Sequence, residues 1–267
     1  MPHCPFCDRD HSSRRGEHVI PKWIAKEFPD IKWDLTNRLT QYNRKGEKYI
    51  HILTPRPCSS CNTTWMSDLE KLAKPILLPL IHGIPTTLSI KDQIIIATWF
   101  VKTAMTYDLH SESQAPRPRY FEDTEHREFK SNLSFHPSYR VFIGKYTGDA
   151  MFTIQEDHSG VSVAHRSDLK PLGDTVRVYA LTLLVKHLVL QIFCAKIPND
   201  LTFYIRDYRR FYIELVQPHA VRWPPSQYFD DLLLDKFIDR WSEEPPPPPP
   251  CFYIYHRADL PMVRQLY

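Results

Sequence analysis

Residues 4–7 read CPFC and residues 58–70 read CSSCNTTWMSDLE, and the two Cys-x-x-Cys pairs in these stretches are the strongest structural signal in the chain. A gap of two residues lets the backbone turn tightly and direct both thiolates of a pair at one metal ion. Two such pairs predict a tetrahedral structural zinc (Zn²⁺) site with the ligands Cys4, Cys7, Cys58 and Cys61. A redox-active Cys-x-x-Cys and chance pairing are the alternatives.

The composition is that of a folded protein, with 267 residues of which 24% are charged and 42% hydrophobic. No run of 18 or more residues is free of polar breaks, so no membrane span is expected, and the N-terminus lacks the pattern of a signal peptide. The expected compartment is therefore cytoplasmic. Residues 1–80 carry 13 lysines and arginines against nine acidic residues, an excess that suits a polyanion partner and an ordinary solvated surface about equally.

Between the cysteine pairs, residues 17–23 read EHVIPKW. With CPFC before it and CSSCNTTWMSDLE after it, this segment resembles the HNH (ββα-metal) endonucleases, specifically the subgroup with a four-cysteine zinc site. The resemblance covers about residues 1–75, and an acidic-His-x-x-Pro followed by Cys-x-x-Cys-Asn is far more specific than either part alone. It implies an α+β protein that begins with a small, zinc-stapled ββα-metal module of treble-clef type.

Hydrolysis of a phosphodiester needs an activated water, charge relief in the transition state and help for the departing 3′ oxygen, which a histidine and one divalent cation supply together. The resemblance implies that His18 is the general base and that Glu17, where the family usually has aspartate, is a metal ligand. It places Asn62 at the last position of the motif, where a side-chain oxygen suits Mg²⁺ or Mn²⁺. Two metals are therefore implied, a structural zinc and a catalytic Mg²⁺ or Mn²⁺.

The same residues also have ordinary structural interpretations. Glu17 and His18 fit a surface pair, and Asn62 fits a helix N-cap. The middle asparagine of the motif has no counterpart at a suitable spacing, because Asn37 and Asn43 both lie in the long insert between the cysteine pairs. In the family this asparagine orients the base, so its loss does not by itself remove activity.

The residues after the second cysteine pair predict a helix from about residue 62 to residue 72, with Trp65, Leu69 and Leu72 on its packed face. Glu70 lies eight residues after Asn62 and so on roughly the same face, but we do not assign it to the site. DNA is the expected partner. The basic residues expected to contact its phosphates are Arg14, Arg15, Lys22 and Arg56.

The chain divides into three parts on this reading. Residues 1–78 form the HNH module, residues 79–244 an α+β accessory domain of unknown role, and residues 245–267 a polyproline spacer with a C-terminal tail. The six prolines of residues 245–250 predict a polyproline II spacer, and the tail begins with a strand-like segment.

The accessory domain predicts an apolar core helix over residues 91–107, capped by Ser89 with Asp92. Strand patterns at residues 140–146, 151–156 and 161–165, with turns at 147–149 and 158–160, predict an antiparallel meander. Residues 175–194 are apolar and fit either strands or a buried helix, and residues 226–241 fit an amphipathic helix.

Three functions follow from these patterns. The first is a metal-dependent endonuclease that cuts DNA, with phage defence or restriction as a setting by analogy only. One ββα-metal site cuts one strand, so cleavage of both strands would require a homodimer or two encounters. The second is a zinc-stabilised module that binds DNA or protein without catalysis. The third is an enzyme whose chemistry lies in the C-terminal part, where the sequence shows no nucleophile–base arrangement.

Overall fold

A computed structural model describes residues 3–10, 17–28, 52–54, 57–114, 119–164, 171–196, 201–205, 210–239 and 252–256. The helices are α1 (Lys22–Glu27), α2 (Ser59–Cys61), α3 (Ser67–Ile81), α4 (Ile90–Gln114), α5 (Asp123–Asn132) and α6 (Asp231–Asp239). The strands are β1 (Glu17–His18), β2 (Leu53–Thr54), β3 (Thr86–Leu88), β4 (Arg140–Lys145), β5 (Phe152–Ala164), β6 (Pro171–Val185), β7 (Leu188–Ala195), β8 (Leu201–Ile205), β9 (Tyr212–Glu214), β10 (Val221–Trp223) and β11 (Phe252–His256). The prediction of a mixed α+β protein is confirmed. Within the described ranges, no helix has the length and apolarity needed to cross a membrane.

Helix α4 is the core helix that the sequence predicts, and its cap is the predicted one. The Asp92 carboxylate accepts the Ser89 backbone N–H at 2.9 Å, while the Ser89 hydroxyl accepts the Asp92 backbone N–H at 3.2 Å. The helix continues to Gln114, past the predicted end at residue 107, because Tyr107 and Leu109 are still buried. Its fully buried residues include Ile96, Ala97, Trp99, Phe100, Val101 and Ala104.

Helix α3 is longer than predicted, since it runs through Pro75 and Pro79 to Ile81. Proline normally ends a helix because it lacks the N–H and clashes with the preceding turn. Here the apolar face compensates, as α3 packs against α4 through a stripe of buried side chains. That stripe comprises Leu69, Ala73, Leu77, Leu80 and Ile81. Leu72, predicted to lie on the packed face, is 53% exposed, so this part of the prediction is wrong.

A five-stranded antiparallel sheet in the order β5-β6-β7-β4-β9 packs against α4 with one face. Side chains alternate between faces along a strand. On β6, Tyr179 and Leu181 join the core cluster that contains α4, and the Tyr179 hydroxyl donates to the Ala104 carbonyl at 3.2 Å. Between them, Ala180 belongs to a second cluster on the opposite face, which includes Leu234 of α6.

The predicted meander is wrong in two respects. β5 is one continuous strand through residues 158–160, where the sequence predicts a turn, because β6 provides a backbone partner along nearly its whole length. β4 pairs with β7 and β9 rather than with β5. The ambiguous residues 175–194 are the strands β6 and β7, joined by a turn at Lys186, whose φ of 50° lies in the left-handed region.

The C-terminal part agrees with the sequence where the structure describes it. β11 pairs antiparallel with β8, which confirms the strand-like start of the tail, and α6 occupies the middle of the predicted 226–241 helix. Residues 245–250 lie outside the described residues. One buried cluster extends from Cys4 to Trp223, and α3 crosses residue 78, so the division of the chain at that position stays a prediction.

Candidate metal centre

The first cysteine turn (residues 4–7) is fixed by its own backbone. The N–H groups of Cys7 and Asp8 donate to the Cys4 carbonyl at 3.3 and 3.0 Å, and the Cys4 N–H donates to the Arg9 carbonyl at 3.1 Å. Asp8 has φ 59°, a left-handed conformation that aspartate adopts more readily than most residues. The chain therefore folds back on itself and directs both sulfurs to the same side.

The second cysteine turn (residues 58–61) forms the start of a helix. Cys58 is extended, with φ −73° and ψ 158°, and occupies the N-cap position of α2, where its sulfur accepts the Cys61 N–H at 3.5 Å. The Cys58 N–H donates to the Cys4 sulfur at 3.3 Å, which joins the two turns directly. Such N–H···S hydrogen bonds orient and stabilise thiolate ligands.

The four sulfurs converge on one point. They lie within 4.8 Å of one another, with Cys4 and Cys61 3.9 Å apart and Cys7 and Cys58 3.5 Å apart. In a tetrahedral site with Zn–S bonds of about 2.3 Å, the sulfurs are about 3.8 Å apart. The cluster can therefore hold a structural metal ion such as zinc, as the sequence predicts.

The protonation of the thiols also favours a bound cation. The hydrogen bond between the sulfurs of Cys4 and Cys61 lowers the pKa of Cys4 to about 4 and raises the pKa of Cys61. Burial raises the pKa of Cys58. Four adjacent sulfurs cannot all ionise unless a positive charge offsets their repulsion and their loss of water, and a divalent metal supplies that charge.

Aromatic rings pack together beside the first cysteine turn. Phe6, between the first two cysteines, is 1% exposed, and its ring centroid lies 5.4 Å from that of Trp65 and 4.8 Å from that of His126. Trp65 also contacts Phe129, at 6.0 Å. His126 and Phe129 belong to α5, a helix that the sequence analysis did not predict, so α5 packs against Phe6 of the first cysteine turn and against Trp65.

His18 lies on the short strand β1. β1 pairs antiparallel with β2, which places His18 opposite Leu53, and the Val19 N–H continues the ladder to the Ile52 carbonyl at 2.9 Å. His18 is half-buried, and its Nε2 atom is shielded from solvent. Glu17 precedes it in β1, but the side chain of Glu17 lies outside what the structure describes.

Asn62 follows the last cysteine directly, on a bent turn between α2 and α3. Its N–H donates to the Cys58 carbonyl at 3.1 Å, and it follows α2 at the C-cap position while Cys58 occupies the N-cap, so the N-cap alternative is wrong. The backbone leaves helical geometry at Thr64, with φ −103° and ψ −108°, and the Thr64 hydroxyl donates to the Ser60 carbonyl. Bonds of this type bend helices. The Asn62 side chain is half-buried.

Two side chains of α4 contact α3 and β2. The sequence analysis assigned neither of them to the candidate site. Lys102, whose side chain is fully buried, contacts the Glu70 carboxylate at 3.1 Å. His110 donates from Nδ1 to the Leu53 carbonyl at 2.7 Å, since a carbonyl can only accept, and burial lowers the pKa of this histidine. A lysine inside an otherwise apolar helix was the sequence pattern that could have identified Lys102, whereas no pattern of neighbouring residues identifies His110.

The basic residues expected to meet DNA are only partly described. Lys22 is exposed at the first position of α1, while Arg14, Arg15 and Arg56 lie outside the described residues. Arg9, which the sequence analysis missed, lies two residues after Cys7. Its guanidinium donates to the Cys7 sulfur at 3.5 Å and to the Ser60 hydroxyl at 3.2 Å, so it binds both cysteine turns.

The chain matched none of the protein-family models, curated proteins or solved structures with which it was compared. The argument for function therefore depends on the residues of the site itself.

Proposed function

We propose that the protein is a metal-dependent endonuclease of the HNH type that hydrolyses phosphodiester bonds of DNA. The observation that carries the proposal is the order of elements around the four cysteines. The strand with His18 is followed by helix α1 and then pairs antiparallel with β2, and β2 precedes the helical segment that begins at the second cysteine turn and carries Asn62. Apart from α1, this is the ββα order that the HNH resemblance implies.

In this proposal, His18 removes a proton from a water molecule as the water oxygen bonds to phosphorus and the bond to the 3′ oxygen breaks. Glu17 and Asn62 hold Mg²⁺ or Mn²⁺, for which oxygen donors are suited. When bound, the cation offsets charge on the phosphate and stabilises the leaving oxygen. The exposed Lys22, with Arg14, Arg15 and Arg56, contributes affinity for the DNA backbone rather than sequence preference.

The placement of α3 and α4 further supports a shared site for His18 and Asn62. Thr54 of β2 is four residues before Cys58, so β2 lies near the start of the helical segment that includes Asn62, and His110 near the end of α4 binds β2. We infer that the start of α3 lies near the end of α4 and that the two helices run antiparallel, which also fits the contact between Lys102 and Glu70. This arrangement supports a site in which Asn62 and the strand pair of His18 lie at the same end of the helix pair.

The test is digestion of supercoiled plasmid with Mg²⁺ or Mn²⁺ by the wild type, by His18→Ala and by a control, His219→Ala. His219 is an exposed histidine on the connection between β9 and β10, far along the chain from the module. We expect nicking by the wild type and by the control, and a loss of about 10²-fold or more for His18→Ala. Equal nicking by all three proteins would refute the assignment of the base.

A second candidate, a zinc-stabilised module that binds DNA or protein without catalysis, is favoured by one observation. The Nε2 atom of His18 is shielded from solvent, whereas a general base must reach a water molecule. If the protein is such a module and binds DNA, we expect the wild type to shift DNA in a gel and to cleave neither strand with Mg²⁺ or Mn²⁺.

A further inference from the structure

We infer that α4 is a positioning element of this candidate site, through Lys102 and His110. This inference rests on the proposed endonuclease, because it concerns the placement of His18 and Asn62. It also gives the accessory part a role, since α4 belongs to the part of the chain that follows the module.

Lys102 fixes the helix that follows Asn62. Its side chain is completely buried between α3 and α4, and its ammonium contacts the Glu70 carboxylate, which is 21% exposed. A buried ammonium is stable only with a close anionic or polar partner, so this pair strongly favours one register of α3 along α4. A slide of either helix by one turn would separate the two charges.

His110 fixes the strand pair that carries His18. Because the Val19 N–H bonds to the Ile52 carbonyl, the next residue of β2, Leu53, belongs to a pair whose backbone groups turn away from β1. The Leu53 carbonyl therefore faces outward, and His110 donates to it at 2.7 Å. β1 and β2 form a sheet of only two residue pairs, which has little stability without such lateral support.

The two contacts lie at different levels of α4. Lys102 and His110 are eight residues apart, about 12 Å along a helix, and Asn62 lies eight residues before Glu70, across the bend at Thr64. Since α3 and α4 are antiparallel, the steps from Lys102 to His110 and from Glu70 to Asn62 run in the same direction. Helix α4 therefore sets the distance between the strand of His18 and the turn of Asn62.

Lys102 and His110 are thus positioning residues, which act through Glu70 and Leu53 and do not touch the DNA. A displacement of about 1 Å between the general base and the residues that hold the catalytic cation can lower the rate by about 10²-fold. Helix α4 of the accessory part then helps to hold the active site in position.

The test compares His110→Ala, His110→Asn and the double variant Glu70→Gln with Lys102→Met in the full chain. The double variant removes both charges together and so leaves no unpaired buried ion. His110→Asn keeps a donor for the Leu53 carbonyl. The matched control is Lys91→Met, which changes an exposed lysine on the same helix.

We expect His110→Ala and the double variant to lower kcat for plasmid nicking by about 10- to 100-fold, with KM, zinc content and Tm nearly unchanged. His110→Asn should recover part of kcat, and Lys91→Met should match the wild type. Wild-type kcat in His110→Ala and in the double variant would overturn the inference.

Hydrogen exchange separates a failure of this inference from a failure of the proposed function. The Val19 amide bonds across β1 and β2, and the Asp8 amide bonds within the first cysteine turn. His110→Ala should speed exchange at Val19 and leave Asp8 unchanged, whether or not the protein cuts DNA. If the wild type does not nick DNA, the endonuclease fails; if exchange at Val19 is also unaltered, the positioning role of His110 fails independently.

Discussion

Removal of the metal should loosen the first cysteine turn and lower the stability of the whole chain. The perturbations are a zinc chelator and, separately, Cys61→Ser, which removes a ligand that is 1% exposed. Without the metal, the four sulfurs, three of which belong to buried cysteines, lose the charge that offsets their repulsion, and the turn that carries Phe6 keeps three backbone hydrogen bonds of its own.

The size of the effect can be worked out from the contacts of Phe6. Burial of a phenylalanine side chain contributes about 1.5–3 kcal/mol, and each of its ring contacts, with Trp65 and His126, about 0.5–1.5 kcal/mol more. Their loss lowers the free energy of unfolding by about 2.5–6 kcal/mol. For a chain of this size that lowers Tm by roughly 5–25 °C.

The assay is thermal unfolding of reduced protein with and without chelator, beside a measurement of zinc per chain. We expect about one zinc in the wild type, a lower Tm after chelation, and recovery on adding zinc. Cys194→Ala is the matched control, because Cys194 is an equally buried cysteine outside the cluster and should leave the zinc content unchanged. The reasoning would be refuted if the folded, reduced wild-type protein contained no zinc and its Tm did not change when the chelator was added.

Three further predictions concern stability. Gly148→Ala should cost about 1–3 kcal/mol in urea unfolding, because a β-carbon would lie 2.4 Å from the Tyr146 hydroxyl oxygen; an unchanged midpoint would contradict this. Asp108→Ala should cost about 2–6 kcal/mol, since the buried carboxylate accepts the Tyr120 and Phe121 N–H groups at 2.9 and 3.1 Å, and Asp108→Asn should cost less. Burial lowers the pKa of His126 from 6.5 to about 4, so the unfolded state binds the proton first and stability falls as pH drops from 6.5 to 4. The loss of about 3 kcal/mol should be absent in His126→Leu, measured as the slope of the urea midpoint against pH, and equal slopes would exclude His126 as the cause.

Local features of the chain were predictable because neighbouring residues decide them. The spacing within CPFC and CSSC fixes how each pair of sulfurs can point, and the structure brings all four together. The capping box formed by Ser89 and Asp92 fixes the start of α4, since the side chain of each residue accepts a hydrogen bond from the backbone N–H of the other within one turn. The strand pattern of residues 252–256 similarly identified β11.

Features that join distant segments were not predictable in the same way. β4 and β5 are neighbours in sequence, yet their partners are chosen by packing of both sheet faces, which no local pattern records. The prolines of α3 indicate a helix end, and burial of its apolar stripe against α4 outweighs them. Among the proposed site residues, His18 and Asn62 came from the HNH resemblance, whereas Lys102 and His110 emerged only from their contacts with Glu70 and the Leu53 carbonyl.

The sequence by itself therefore identified the four cysteines that could hold a metal ion and the start of helix α4, because bond geometry over two to four residues leaves few alternatives. The tertiary structure alone decided the strand order, the path of α3 and the two contacts of α4, because those depend on which apolar surfaces exclude water together and on which buried charges meet.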